Sequence, residues 1–278
     1  MKHLNLFFPE WQGYAENNIV QKGATAAKDH FSNLKFESIE IPESEELLQK
    51  NNIIGYHANL RNLSASRAIL EKQKPDSTFL IGGTCASEIG PVSYLNNRYN
   101  GDLAVLWFDA HGDLNTPESS PSKHFHGMPL RTLLGESDEK VVDQLFSKLK
   151  PNQVFVLGGR DIDTPEKELI ENSDVTLYTP SEVENITDLV NEIKARGFQN
   201  LYIHIDLDVL EPKEFPHLLL PIADGVSIDQ LKKALRSLVD RFNLVGSSIV
   251  EYVPQGGGDV DTLEQLVNIL GINEKSVD

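Results

Sequence analysis

Cysteine is almost absent from this chain, because Cys85 is the only one among its 278 residues. A single cysteine excludes an internal disulfide bond and favours a reducing compartment. The sequence also lacks an apolar run of about 18 or more residues, the length that a membrane-spanning helix needs. The apolar part of residues 1–9 is too short for a secretory signal. These absences predict a cytoplasmic protein without a membrane partner.

Positive charge is scarce as well, with 25 lysine and arginine residues against 42 acidic residues and a formal net charge of -17. Such a surface disfavours nucleic acid as a partner and favours a small cationic ligand that enters an acidic cleft. Apolar residues make up 40% of the sequence, enough for one large core or two modest ones. Because no repeat or linker divides the chain, we expect a single domain over residues 1–278.

Two aspartate-rich runs follow short apolar stretches. Residues 109–115 read Asp-Ala-His-Gly-Asp-Leu-Asn, and residues 204–208 read His-Ile-Asp-Leu-Asp. Side chains two residues apart on an extended strand point to the same side, with about 6.5 Å between their Cα atoms. The first run therefore predicts that Asp109, His111 and Asp113 converge at the end of a buried strand.

The second run places Asp206 and Asp208 in the same way. Carboxylates crowded at the ends of apolar strands repel one another and lose hydration, at a cost of several kcal/mol each unless a cation compensates. A pair of divalent metal ions about 3.5–4 Å apart is a common solution. Acids that make turns and helix caps are an equally good explanation of either run alone, but both runs together favour metal ions.

Short β-rich runs alternate with helical patterns along the chain. The eight predicted strands are residues 4–8, 36–41, 78–82, 103–109, 153–157, 175–178, 201–208 and 244–252. Helical patterns cover residues 64–72, 165–171, 187–196 and 228–242. Such alternation predicts a parallel sheet with helices on both faces. Ligands of such sheets sit outside the carboxyl ends of the strands, where both acidic runs lie.

Four motifs stand in a fixed order: residues 109–115, His-Gly-Met-Pro at 126–129, Asp-Leu-Asp at 206–208 and Glu-Tyr-Val-Pro at 251–254. In order and spacing they resemble the ureohydrolases, the superfamily of arginases, agmatinases and formimidoylglutamases. The resemblance implies a three-layer α/β/α domain with an eight-stranded parallel sheet. It also implies a binuclear manganese centre, a homo-oligomer such as a trimer or hexamer, and hydrolysis at a guanidino carbon.

The resemblance assigns five metal ligands, all of them side chains of the two acidic runs. They are Asp109 and Asp206 as bridges between two manganese ions, His111 and Asp208 at one ion, and Asp113 at the other. The sixth ligand is a histidine in the superfamily, and this chain departs from the pattern at that position.

The departure lies in residues 82–87, which read Gly-Gly-Thr-Cys-Ala-Ser where the superfamily usually has Gly-Gly-Asp-His-Ser. Cys85 thus occupies the histidine position, and three interpretations stay open. Its thiolate can bind metal in place of imidazole. One metal can be weakly held or absent, or a softer divalent ion can replace manganese, which prefers oxygen and nitrogen ligands. Cys85 can also be a small buried side chain without a role.

The resemblance also implies the chemistry. Two metal ions lower the pKa of a bridging water, so that hydroxide attacks the guanidino carbon near neutral pH. Asp113 would protonate the leaving nitrogen, and His126 would relay protons to solvent, a role that suits imidazole. Glu251 would pair with the guanidinium group. Taken alone, His126 is a loop histidine and Glu251 a strand-end glutamate, so both assignments depend on the resemblance.

Residues 159–163 read Gly-Arg-Asp-Ile-Asp and resemble an arginase segment whose second aspartate contacts the substrate α-amino group. Asp163 would therefore recognise an amino acid, while Asn115 and Ser122 would contact its α-carboxylate. His124 is a further candidate for substrate binding. Asp163 has an alternative interpretation as a helix N-cap, because a proline follows two residues later.

His204 precedes the second pair of aspartates on the same predicted strand. It could orient a metal ligand from the second layer of side chains. It could equally be a hydrogen-bonded core histidine, so we leave it outside the ligand set.

The combined pattern predicts a hydrolase that releases ornithine from an arginine-like substrate. Arginine would yield urea, and Nω-hydroxy-L-arginine would yield hydroxyurea. This chain resembles the branch of the superfamily that hydrolyses Nω-hydroxy-L-arginine, because both have cysteine at the position of the histidine ligand. Lys123, His124 and Leu220 differ from ordinary arginases, so an agmatinase, a formimidoylglutamase or another guanidino-acid hydrolase is the alternative. A metal-deficient, non-catalytic binding or regulatory protein is an alternative of another class.

Overall fold

The computed structural model describes residues 2–274, and these contain one eight-stranded sheet. The strands are β1 (His3–Phe8), β2 (Phe36–Ser38), β3 (Ser77–Gly82), β4 (Ala104–Phe108), β5 (Val154–Leu157), β6 (Thr176–Tyr178), β7 (Asn200–Asp206) and β8 (Asn243–Val250). Their order across the sheet is β2-β1-β3-β8-β7-β4-β5-β6. Every strand pair is parallel.

Helices connect the strands. The α-helices within the described residues are α1 (Ile19–His30), α2 (Tyr56–Gln73), α3 (Ile89–Arg98), α4 (Pro129–Leu133), α5 (Glu139–Val142), α6 (Thr164–Glu171), α7 (Pro180–Val183), α8 (Ile186–Ala195), α9 (Ile228–Val239) and α10 (Val260–Ile269). Short 3₁₀ helices cover Cys85–Glu88, Phe125–Gly127, Pro151–Gln153, Leu207–Val209 and Ile272–Glu274. Over residues 2–274, none of the helices combines the length and apolar character needed to cross a bilayer.

The sheet separates two hydrophobic cores, because alternate residues of a strand point to opposite faces. In β4, Leu106 and Phe108 join the core formed with α1, α8, α9 and α10, whereas Val105 and Trp107 join the core formed with α2, α3 and α4. A strand buried on both faces reads as a continuous apolar run, which explains why the sequence pattern finds it. The predicted three-layer α/β/α fold with an eight-stranded parallel sheet is confirmed.

One geometric expectation is wrong. β4 ends at Phe108 and β7 ends at Asp206, so neither acidic run continues as an extended strand. Asp113 lies in the following loop with a φ of +52°, and Asp208 lies in the 3₁₀ helix Leu207–Val209. These side chains therefore approach one another through tight loops, because the chain turns sharply as soon as it leaves the sheet.

The centre of the sheet positions the candidate site. The neighbouring strands β3, β8, β7 and β4 all run in one direction, so their carboxyl ends meet at one edge. Cys85 follows β3, Glu251 follows β8, Asp206 ends β7 and Asp109 follows β4. Four chain segments that are distant in sequence thereby bring their chemistry to the same place.

Candidate metal centre and active site

The loop after β4 holds the first cluster of candidate ligands. Asp109 is fully buried, and its Oδ1 accepts a hydrogen bond from the backbone N of His111 at 2.7 Å. The His111 Nδ1 lies 3.3 Å from Asp109 Oδ1 and 3.0 Å from Asp208 Oδ2. Ala110 N donates to Asp208 Oδ1 at 3.0 Å. The ligand atoms of Asp109, His111 and Asp208 lie within 4.8 Å of one another, as binding to one ion requires.

A second cluster joins the ends of β3 and β7. The Cys85 Sγ donates to Asp206 Oδ2 at 3.0 Å and lies 4.0 Å from Asp109 Oδ2. Asp206 Oδ1 accepts a hydrogen bond from Asp208 N at 2.8 Å. Ligand atoms of Cys85, Asp109, His204 and Asp206 lie within 4.8 Å of one another, and all four residues are buried. Asp109 belongs to both clusters, the position that a bridging ligand needs.

Asp113 reaches this region from a left-handed backbone conformation, with a φ of +52°. The Trp107 indole Nε1 donates to Asp113 Oδ2 at 3.2 Å and to Asp109 Oδ2 at 3.1 Å, which holds the two carboxylates side by side. Glu251 is left-handed too, with a φ of +59°. Such a conformation costs a non-glycine residue about 1 kcal/mol or more, and backbone strain of this kind concentrates at functional sites.

Burial and crowding shift the protonation of these groups. Burial, followed by repulsion from neighbouring carboxylates, raises the pKa of Asp109, Asp113 and Asp206. The same two causes raise the pKa of the Cys85 thiol. Divalent metal ions relieve all of these penalties together, because they replace the bound protons with positive charge. The buried oxygen, nitrogen and sulfur donors of the two clusters therefore fit divalent metal ions.

His111 differs from its acidic neighbours. Burial alone lowers its pKa, but the carboxylates of Asp208 and Asp109 outweigh burial and raise it well above the ordinary value. The imidazole is thus held between two carboxylates that favour positive charge at this point. A metal ion bound by all three side chains would take the place of that proton.

Glu251 lies beside the cluster that contains Cys85, and one of its carboxylate oxygens has no hydrogen-bond partner among residues 2–274. Its Oε1 accepts a hydrogen bond from Cys85 N at 3.2 Å and lies 3.2 Å from His126 Nδ1. Its Oε2 is buried and has no hydrogen-bond partner among residues 2–274. A buried carboxylate oxygen in this state is suited to accept hydrogen bonds from a cationic ligand.

A cavity of about 160 Å³ opens onto the clusters. Its lining includes predicted metal ligands, catalytic residues and substrate-binding residues: Cys85, His111, Asp113, Asn115, Ser122, His126, Asp163, Asp206, Asp208 and Glu251. Asp109 lies outside this lining because it is fully buried behind its neighbours. His124 also lies outside it, with its ring 5.9 Å from the rings of Tyr14 and His126.

Asp163 is a helix N-cap, as one of its two interpretations predicted, and its carboxylate also lies on the cavity wall. It is the N-cap residue of α6, and its backbone N donates to Glu166 Oε2 at 2.8 Å. Its carboxylate also lines the cavity, where Oδ2 accepts a hydrogen bond from Asn115 Nδ2 at 2.8 Å. The helix cap therefore fixes a carboxylate and an amide together on the cavity wall.

Glu166 is a cavity residue that the sequence analysis missed. Its Oε1 accepts a hydrogen bond from Leu114 N at 2.8 Å, and burial raises its pKa to about 7. An added Cβ at Gly112 would come within 2.8 Å of the Glu166 carboxyl carbon, so a larger residue here would displace the Glu166 carboxylate. The Asp-x-x-Glu spacing of a capping box, from Asp163 to Glu166, was the available signal.

Glu10 was also missed, and no local pattern points to it. It lies in the loop after β1, where its Oε1 accepts a hydrogen bond from the Thr84 hydroxyl and its Oε2 accepts one from Gly13 N at 3.0 Å. Thr84 stands where the superfamily motif has aspartate. The Glu10 carboxylate therefore lies next to position 84, where the superfamily has the carboxylate of an aspartate, but it belongs to the loop after β1.

The change Glu10→Gln is expected to stabilise the metal-free protein at alkaline pH. Burial raises the Glu10 pKa from 4.5 to about 7, so the folded state binds a proton that the unfolded state releases between these values. Glu10 therefore costs stability as pH rises through this window, whereas glutamine does not. Between pH 5 and pH 8, urea unfolding should show the variant gaining about 2 kcal/mol relative to the parent. A constant difference across this range would contradict the buried acid.

The sheet and the two clusters define an α/β protein with a candidate metal centre at the carboxyl edge of its central strands. The Arginase family model matches residues 17–270. An arginase of Staphylococcus aureus (strain COL) is 31% identical over 235 residues, which cover 82% of this chain and 76% of that protein. The chain therefore belongs to the arginase family, whose members are hydrolases that act on guanidino C–N bonds.

Solved structures share the fold at lower sequence identity. The arginase of Entamoeba histolytica in complex with L-ornithine has a TM-score of 0.87 at 21% identity and covers 97% of this chain and 98% of its own. The formimidoylglutamase of Bacillus subtilis has a TM-score of 0.71 at 17% identity and covers 98% of this chain and 86% of its own. Because proteins with these different names share the fold, the fold alone does not select a substrate.

Proposed function

We propose that this protein hydrolyses a guanidino C–N bond of an arginine-like amino acid and releases ornithine. One observation carries the proposal: a single cavity is lined by Glu251, by Asp163 and by every candidate metal ligand except the fully buried Asp109. Arginine presents two cationic groups, a guanidinium and an α-amino group. Two acids in one acidic cavity are the matching recognition elements, and the proposal assigns the guanidinium to Glu251 and the α-amino group to Asp163.

The proposal places two manganese ions in the clusters, held by Cys85 and by the acidic and histidine ligands of the loops after β4 and β7. Bound divalent ions supply Lewis acidity and a nucleophile from water at neutral pH. Glu251 holds the planar guanidinium through its free Oε2. Asp113, held by Trp107, carries the proton to the leaving nitrogen, and His126 exchanges it with solvent.

Cys85 favours Nω-hydroxy-L-arginine over arginine as the substrate. The hydroxyguanidine group has an oxygen that can itself coordinate a metal ion. Replacing one imidazole ligand by a thiolate therefore changes how well this oxygen competes with water for the metal ion. The products separate all candidates: ornithine with hydroxyurea from hydroxyarginine, ornithine with urea from arginine, putrescine from agmatine, and glutamate from formimidoylglutamate. Mass spectrometry of reactions with each compound at saturating manganese tests the proposal.

The expected result is ornithine with hydroxyurea as the fastest reaction. Putrescine or glutamate as the main product would move the assignment to an agmatinase or a formimidoylglutamase. No product from any of the four compounds would support a non-catalytic relative. A homo-oligomer, a trimer or hexamer as in the superfamily, is part of the proposal and is checked by sedimentation.

The change Asp163→Asn is expected to weaken substrate binding with little effect on kcat. A charge-assisted hydrogen bond contributes about 1.5–3 kcal/mol, so KM should rise about 10- to 100-fold. Asn115 can still donate to the new side-chain oxygen, which preserves the cavity wall. Asp161→Asn is the matched control, because Asp161 lines the same cavity and its side chain is 62% exposed. Steady-state kinetics measure KM and kcat for the wild type, Asp163→Asn and Asp161→Asn. An equal KM in these three proteins would contradict the role of Asp163.

A further inference from the structure

His204 is a buried group that the proposed mechanism leaves without a task. It lies on β7, its side chain is completely buried, and neither ring nitrogen has a hydrogen-bond partner among residues 2–274. A buried polar atom left unpaired costs about 1–3 kcal/mol. One ring nitrogen also belongs to the cluster in which the ligand atoms of Cys85, Asp109, His204 and Asp206 lie within 4.8 Å of one another.

The neighbours of His204 hold its ring in one orientation. Trp107 occupies the paired position on β4, and the two rings stack with centroids 3.5 Å apart and planes 10° from parallel. Glu88 Oε1 lies 3.5 Å from His204 Nδ1. The second oxygen of Glu88 accepts a hydrogen bond from the Tyr202 hydroxyl, which anchors the carboxylate.

A carboxylate beside Nδ1 determines which nitrogen is available to a metal. It favours the tautomer with the proton on Nδ1, which leaves the lone pair of Nε2 free. Histidine ligands of metal ions usually have such a carboxylate or carbonyl behind them. Glu88 and His204 therefore have the arrangement of a positioning residue and a ligand.

We propose that His204 binds the same metal ion as Cys85, with Asp109 and Asp206 as the other ligands and Glu88 as the positioning residue. The inference rests on the proposed function, because it requires that the clusters hold metal. In the superfamily, a histidine after β3 supplies an imidazole to this ion. In this chain, His204 on β7 would supply the imidazole. Asp113, which the resemblance assigns to this ion, is not part of this cluster and keeps its proposed role in proton transfer.

The test is metal binding by the full chain, measured as bound manganese after equilibrium dialysis over a range of free Mn²⁺. The wild type should bind two ions per chain. In His204→Gln, the affinity of one ion should fall about 100-fold while the other is unchanged, and in Glu88→Gln the same ion should lose about 10-fold. His3→Gln is the matched control: His3 is a buried histidine at the amino end of β1, hydrogen-bonded to Ser77 and Asn5.

A double-mutant cycle tests whether His204 and the side chain at position 85 act on the same metal ion. If His204 replaces the missing imidazole, the loss of Mn²⁺ affinity caused by His204→Gln should be about 10-fold smaller in a Cys85→His background than in the wild type. Cobalt substitution gives a second readout, because the thiolate-to-cobalt absorption in the near ultraviolet should weaken in His204→Gln. Circular dichroism verifies that each variant is folded.

The outcomes distinguish the two proposals. Two ions bound with equal affinity by wild type and His204→Gln would overturn the His204 assignment and leave the proposed function intact. No metal bound by the folded wild type would overturn both.

Discussion

Asp206→Asn is expected to reduce kcat/KM by about 10³-fold or more, the largest effect of any conservative change in the site. Asp206 is a proposed ligand of the metal ion that Cys85 binds, and the loss of its charge removes several kcal/mol of charge stabilisation. The shape of the side chain is preserved, because asparagine keeps the oxygen that accepts a hydrogen bond from Asp208 N at 2.8 Å. Kinetics and manganese content at fixed free metal measure the effect.

The same variant should be more stable than the parent when both are metal-free. Burial and the negative charges of Asp208 and Asp109 raise the Asp206 pKa, so the native state holds this carboxyl at a cost near neutral pH. Removing the ionisable group should raise the free energy of unfolding, and the gain should grow as pH rises above the ordinary pKa of aspartate. Asp240→Asn, at an exposed residue after α9, is the control and should change neither quantity. A variant that loses activity and stability together would instead indicate a structural role.

Cys85→Ser is expected to change which metal the site prefers. A thiolate favours soft ions such as Cd²⁺, whereas a serine hydroxyl is a weak, hard donor. The ratio of Cd²⁺ to Mn²⁺ affinity should therefore fall by on the order of 100-fold at one of the two sites. Serine can still donate to Asp206 Oδ2, the acceptor that lies 3.0 Å from the Cys85 sulfur, so the fold should persist.

Competition binding of the two ions, followed by elemental analysis, measures this ratio. Cys85→His supplies a second variant without the thiolate, which restores the superfamily residue and should also shift the preference from Cd²⁺ towards Mn²⁺. If the ratio is the same in wild type, Cys85→Ser and Cys85→His, then Cys85 is a buried side chain without a metal role.

The fold could be predicted from sequence because its determinants are local. Each strand of a doubly covered parallel sheet is an apolar run, and the four predicted helical patterns overlap α2, α6, α8 and α9. The acidic residues at the ends of β4 and β7 indicate a site at the carboxyl edge of the sheet, because they directly follow apolar runs in the sequence. The structure brings Asp109, His111, Asp206 and Asp208 together at that edge, while their roles as metal ligands stay a prediction.

The rest of the site depends on contacts between distant segments. Glu10 reaches Thr84 across 74 residues, and Glu88 meets Tyr202 across 114. No periodicity or motif encodes such pairs, because they exist only once the sheet has aligned β1, β3 and β7. The path of the acidic loops was mispredicted for a related reason: strand periodicity cannot show where a strand stops and a left-handed residue such as Asp113 turns the chain.

The number of metal ions bound per chain is the property on which the proposed metal centre depends. The protein would be purified without chelator, reconstituted with Mn²⁺, freed of excess ion and analysed for elemental composition against protein concentration. We expect two ions per chain, removed by chelator and restored by Mn²⁺. A folded protein that retains no divalent metal after reconstitution would contradict the account and identify the clusters as buried acids of a non-catalytic family member.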